Sequence, residues 1–254
     1  MREYENLAYI DLQKTGSTTI KSVLDDLLDE QMIHRGRHAT MREDFDRSKL
    51  SFISVREPLS IYISLFNFAT GGRKGSLYNT LCRNGQEALF VPSCEAFERW
   101  LGFVLDPRNA ALMRADYADH APTECIGFLS FRLLYLSVPR SLKKMAKDKY
   151  REPDQIRMLF GKRIYDDYVR VENLAGDLFA FLEANASRLR LRHSLTTVAD
   201  MIAHLPVRNA SRKVPGLAPQ NVSPALRQLV REREWLLYEV FGYDADPMGR
   251  RPPL

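Results

Sequence analysis

One short stretch of this chain, Lys14-Thr15-Gly16-Ser17-Thr18-Thr19, concentrates the groups that hold an oxyanion. Hydroxyls and backbone N–H groups donate hydrogen bonds to such a ligand, and the lysine brings a full positive charge. A second set follows at Arg56, Pro58 and Ser64. Its guanidinium can grip a phosphate through two parallel hydrogen bonds, and its hydroxyl can add a third donor. Between the two sets stands His38, close after Arg35 and Arg37. An imidazole with an ordinary pKa near 6.5 can accept a proton at neutral pH. His34 and His120 are the other histidines within reach of this reasoning.

The elements that must position these groups are legible on either side of them. Leu7 to Leu12 is a short apolar run of strand length. Ile20, Val23, Leu24, Leu27 and Leu28 share one helix face. A strand entering a helix through a tight turn leaves several N–H groups aimed at one point, and the helix dipole favours an anion there. The spelling is not that of the nucleotide triphosphatase loop, which needs G-x-x-x-x-G-K-[ST]. Here the lysine precedes the glycine and a first glycine is missing. Phe52, Ile53 and Val55 predict a second strand, and Pro58 suits the first turn of a helix lined by Leu59, Tyr62, Leu65 and Phe66. Arg56 then lies at a strand end, with Ser64 about two turns into the helix. Thr40 followed by Glu43 fits a capping box, which leaves His38 on a loop just before a helix start.

The order Lys-Thr-Gly-Ser-Thr resembles the 5′-phosphosulfate loop of sulfotransferases that use 3′-phosphoadenosine 5′-phosphosulfate (PAPS), specifically a bacterial type of the carbohydrate branch. Arg56-Glu57-Pro58, with Ser64 eight residues after the arginine, resembles that family's 3′-phosphate motif. His38-Ala39-Thr40 resembles a His-Ala-[Thr/Ser] element found between the first helix and the next strand. The resemblance implies a single α/β domain over residues 1–254, with a mainly parallel sheet flanked by helices and a P-loop-like phosphosulfate-binding turn. It implies PAPS as donor, the bisphosphate PAP as product, no metal, and a carbohydrate or other hydroxyl-bearing acceptor. Carried over by position, Lys14 and His38 would be catalytic, the histidine as general base. Lys14, Thr15, Gly16, Ser17, Thr18, Thr19, Arg56 and Ser64 would hold the donor. The stretch Leu205 to Lys213, with Asn209 and Ser211, is similar to a late loop of the family that packs over the nucleotide, which adds Arg212 and Lys213. Glu172-Asn-Leu with Asp177 is similar to a family element whose role is structural. Three departures stand out: Gln13 in place of proline, Glu57 in place of Asn or Asp, and Ile61 where a second arginine is common. Glu57 would put a carboxylate beside a phosphate unless it points away.

Composition limits the alternatives. A chain of 254 residues, 45% of them hydrophobic, can build one substantial core. No apolar run approaches the roughly 20 residues of a membrane span, and the start has no signal-peptide pattern. Cys82, Cys94 and Cys125 are odd in number and lack metal-site spacing, so free thiols and a cytoplasmic location are expected. The net charge of +5 favours anionic ligands, without any nucleic-acid motif. Thr70 to Gly75 reads as a basic loop that either closes over an anion or is simply solvated. Residues 93–105 predict a helix with Phe97, Trp100, Leu101 and Val104 in the core. Residues 106–165, including the apolar run Ile126 to Val138, carry no motif. Ser223-Pro224 opens a helix with Leu226, Leu229, Val230, Leu237 and Phe241 as its buried stripe and Gly242 as its end. Residues 246–254 read as a loose tail. The rival functional class is a non-catalytic module binding nucleotide or acidic glycan on the same fold; a kinase is a weaker third.

Overall fold

The computed structural model describes residues 1–36, 38, 40, 44–146, 150–205 and 212–243. The strands are β1 (Arg2–Tyr4), β2 (Leu7–Asp11), β3 (Met32–Arg35), β4 (Leu50–Val55) and β5 (Asp167–Arg170). The helices that begin the chain are α1 (Ser17–Leu27), α2 (Pro58–Phe68), α3 (Ser76–Arg83) and α4 (Cys94–Leu105). Next come α5 (Ala110–Met113), α6 (Ala115–Ala118), α7 (Phe128–Ser137), α8 (Ser141–Met145) and α9 (Pro153–Phe160). The last are α10 (Leu174–Ala184), α11 (Leu195–Ala203), α12 (Pro224–Arg233) and α13 (Trp235–Phe241).

Strand residues alternate between two cores, as the period of two requires. Leu7 and Tyr9 of β2, with Leu50 and Phe52 of β4, pack against α1, α10 and α11. Ala8 and Ile10, with Ile53 and Val55, join the larger core built on α2, α4, α7 and α13. Both faces of the central strands are therefore covered, which explains why β2 and β4 are buried along their whole length. Together these layers make one α/β domain.

The five strands lie in the order β3-β1-β2-β4-β5. The expectation of a mainly parallel sheet needs correcting, because the sheet is mixed. β2 pairs parallel with β4, and β4 with β5, whereas β1 runs antiparallel to both β2 and β3. The reason is local. Only Glu5 and Asn6 separate β1 from β2, and so short a connection can only reverse the chain, since a parallel neighbour needs a long crossover.

A second difference lies near the C-terminus, where the expected single helix is split at Glu234 into α12 and α13. Glu234 is fully buried. Its carboxylate accepts hydrogen bonds from the Tyr62 hydroxyl on α2, and from the Leu129 and Ser130 N–H groups and Ser130 Oγ of α7 at 3.1, 2.7 and 2.7 Å. Burial pushes its pKa up against the pull of those donors. One side chain thus caps α7 and ties it to α2. Gly127 is required beside it, because a Cβ there would stand 2.1 Å from Glu234 Oε1. Gly242 ends α13 in the left-handed conformation, φ 68°. Glu43, the second half of the expected capping box, the pair Asn209 and Ser211, and the tail 246–254 lie outside the described residues.

Candidate functional site

β2 and β4 are parallel neighbours, so the turn after one and the loop after the other emerge side by side at their carboxyl ends. Ligands of open α/β sheets collect at that edge. The β2–α1 turn is held in place from below. Thr15 is fully buried; its hydroxyl donates to the Leu12 carbonyl at 2.6 Å and lies 2.6 Å from Ser54 Oγ on β4. The Tyr9 hydroxyl meets the same Ser54 at 2.6 Å. Thr15 therefore shapes the turn from beneath and, alone among Lys14 to Thr19, does not line the cleft above it. Gly16 caps α1 in the left-handed region, φ 72°, and Lys14 is also left-handed, φ 63°. A lysine in that conformation is uncommon and marks a turn shaped by something other than local preference. Its Nζ stands 4.0 Å above the centre of the Phe68 ring.

A cleft of about 2130 Å³ opens over this turn. It brings together Lys14, Gly16, Ser17, Thr18, Thr19, His38, Arg56, Ser64 and Lys213. Arg212 is exposed and does not line it, lying instead with its backbone against Gly71. Lys213 reaches the cleft because the next residue, Val214, donates its N–H to Asn67 Oδ1 on α2 at 2.8 Å. Among the described lining residues, the lysines and arginines are opposed by a single carboxylate, Asp11.

Glu57 does point away. Its carboxylate caps α2 by accepting from Leu59 N and Ser60 N at 3.0 and 2.6 Å, and it accepts a further bond from the Tyr238 hydroxyl at 2.6 Å. Its own N–H donates to Glu172 Oε1 at 2.8 Å, so Glu172 anchors the loop after β4. Asp177 likewise accepts the Arg170 N–H at 2.9 Å. With Glu57 so engaged, the Arg56 guanidinium has no hydrogen bond or ion pair among the described residues. Ile61 is wholly buried in the core and cannot stand in for a cleft arginine.

His38 sits on a left-handed backbone, φ 48°. Its Nδ1 lies 2.9 Å from the Asp11 carbonyl oxygen and 3.2 Å from Asp11 Oδ2. Both are acceptors, so Nδ1 carries the hydrogen and Nε2 keeps its lone pair. Asp11 is 1% exposed and is surrounded by the cationic Met1 amino group and Lys21 and by the His38 imidazole. Burial raises its pKa, but His38, the amino group and Lys21 outweigh it and keep it ionised. His38 is shifted down, by burial above all, with Arg132 and Lys21 adding to that and Asp11 opposing it. A neutral imidazole with a fixed tautomer, at the edge of a basic cleft, is suited to accept a proton.

The other histidines do not share this place. His34 lies on edge strand β3 and does not line the cleft. His120 lines a separate, smaller pocket, with Nε2 3.0 Å from the Leu142 carbonyl oxygen.

Two residues escaped the sequence reading: Asp11, and Arg132 on α7. Arg132 is 4% exposed, lines the cleft, and donates a long 3.5 Å bond to the His38 carbonyl oxygen. Each had a visible signal, a lone charge inside an apolar run.

Comparison with protein-family models, with curated proteins and with solved structures finds no match for this chain. What the site can do rests on its own geometry. None of the described helices is long and apolar enough to cross a membrane.

Proposed function

We propose that the chain is a PAPS-dependent sulfotransferase acting on a hydroxyl acceptor, most fittingly a carbohydrate. The observation that carries this reading is the single cleft that unites the Lys14–Thr19 turn, Arg56 and Ser64, Lys213 and a tautomer-fixed His38. The fit to a bisphosphate is chemical: two cationic groups on adjacent parallel strand ends, one with free N–H groups of a helix start, the other a guanidinium with no carboxylate partner among the described residues. PAPS would supply the sulfuryl group. The turn would hold the 5′ end in the manner of a P-loop, and Arg56 with Ser64 the 3′-phosphate. His38 Nε2 would take the acceptor's proton as the acceptor oxygen bonds to sulfur and the sulfur–phosphate oxygen bond breaks. Lys14 would offset the charge gathering on that departing oxygen.

Transfer of ³⁵S from labelled PAPS to a panel of glycans, with release of PAP, tests the reading. PAP binding with no transfer to any acceptor would favour the binding module. Binding of ATP without binding of PAP would replace the reading with a kinase.

A further inference from the structure

Arg132 is a buried charge with no ion pair to a carboxylate among the described residues. Its Nε and Nη1 are shielded from solvent and have no hydrogen-bond partner among the described residues. Its remaining nitrogen makes only the 3.5 Å contact to the His38 carbonyl. The neighbouring charge makes matters worse. Arg114 and Arg132 each lie 4.8 Å from the centre of the Tyr135 ring. Arg114 is answered by Asp116, through a pair that includes an Nη2–Oδ2 contact of 2.6 Å. Arg132 has no such partner among the described residues. Burial, followed by Arg114, pushes its pKa down to about 10, so it is still charged at neutral pH. Leaving a buried charge and its N–H groups unsatisfied is costly, and such a group at the wall of a cleft calls for an explanation, an anion that completes it being one.

The surroundings say what that ligand touches. Arg114, Arg132 and Tyr135 line the same cleft as His38, beside an apolar wall that includes Met113 and Phe128. Arg132 reaches the backbone of the histidine read above as the base, so its ligand lies on the acceptor's side of the reaction. We infer that Arg132, flanked by Arg114 and Tyr135, is a subsite for an oxyanion carried by the acceptor itself, a carboxylate or sulfate group close to the hydroxyl that receives sulfate. This deepens the sulfotransferase reading and rests on it for the word acceptor. The acceptor is then an acidic sugar, and the face of Tyr135 offers its ring an aromatic surface.

The test uses three sugars that differ at one carbon: phenyl β-glucuronide, phenyl β-glucoside 6-sulfate and neutral phenyl β-glucoside. Affinities are measured by calorimetry with and without PAP, and transfer from PAPS is measured in parallel. The wild type is expected to bind at least one anionic sugar tenfold or more tightly than the neutral one, and that ratio should fall to near one in Arg132→Gln. The two anionic arms tell carboxylate from sulfate. Arg132→Lys, which keeps the charge, should retain part of the ratio, and it answers the objection that the glutamine variant fails to fold. Equal wild-type affinities, or no binding of either anionic sugar, overturn the assignment. So does an Arg132→Gln variant that slows transfer to charged and neutral acceptors by the same factor. Failure to bind PAP or to transfer sulfate would remove the donor reading alone, because the affinity ratio is read without the donor.

Discussion

If His38 is the base and Asp11 its holder, removing them should have unequal effects whose sizes follow from the contacts. His38→Ala deletes the proton acceptor, and loss of a general base lowers rates by about 10²–10⁴. Asp11→Asn should act more weakly. Nδ1 of His38 faces two acceptors, the Asp11 carbonyl oxygen at 2.9 Å and Oδ2 at 3.2 Å, and the variant keeps the first. What it loses is one carboxylate interaction with the imidazolium that forms as the proton arrives. Such charge-assisted bonds are worth about 1.5–3 kcal/mol, which corresponds to roughly ten- to a hundredfold in rate.

The pH profile gives a sharper test than the rate. His38 acts only when neutral, and burial holds its pKa below 6.5. At subsaturating concentrations of both substrates, where the free enzyme titrates, activity should climb with pH on an acid limb below 6.5 and be level by neutrality. The Asp11 carboxylate raises the His38 pKa against burial, Arg132 and Lys21, which lower it. Taking that charge away must move the limb to still lower pH. PAP binding and thermal melting of the variant check that loss of the Met1 and Lys21 pairings has not unfolded it. A limb above 6.5 in the wild type, or one that moves upward in Asp11→Asn, would refute the pairing of these residues.

Other outcomes follow from neighbouring contacts. PAP should bind much more tightly than 5′-AMP, and Arg56→Ala should erase most of that difference, about 1.5–3 kcal/mol per charge-assisted contact; equal wild-type affinities by calorimetry would dispose of the 3′-phosphate assignment. Lys14→Ala should lower turnover at saturating donor by a larger factor than it weakens PAP binding, because negative charge at the departing oxygen is greatest in the transition state. Unchanged turnover would take Lys14 out of catalysis. Gly127→Ala should destabilise the fold by roughly 1–3 kcal/mol in chemical denaturation, the usual range for overpacking. The carboxylate that its Cβ would strike is held by Tyr62, Leu129 and Ser130 and has no room to yield. A melting curve matching the wild type would mean that Glu234 is not fixed there.

The parts of this molecule legible in its sequence are those decided within a few residues. The apolar runs of β2 and β4, the polar turn from Lys14 to Thr19 before a helix and the Arg56–Pro58–Ser64 spacing all express local geometry, and the structure puts Lys14, Gly16, Ser17, Thr18, Thr19, Arg56 and Ser64 around one cleft. The antiparallel half of the sheet was hidden because β1 is three residues long, and its pairing with β3 is a long-range event. Helix α7 was hidden for the opposite reason. Nearly every residue from Phe128 to Ser137 is buried, so the stretch has no polar face and no helical period to read. Within these apolar stretches lay the charges that matter, Asp11 in β2 and Arg132 in α7. A charge in a buried element has to be compensated, and the sequence cannot say by what, since the partner comes from elsewhere in the chain. Asp11 turns out to be answered by the Met1 amino group, Lys21 and His38. Arg132 lacks any such answer at Nε and Nη1 among the described residues. The first charge explains how the histidine is oriented. The second, left incomplete by the protein beside that same histidine, is where an anion from outside has a place to bind.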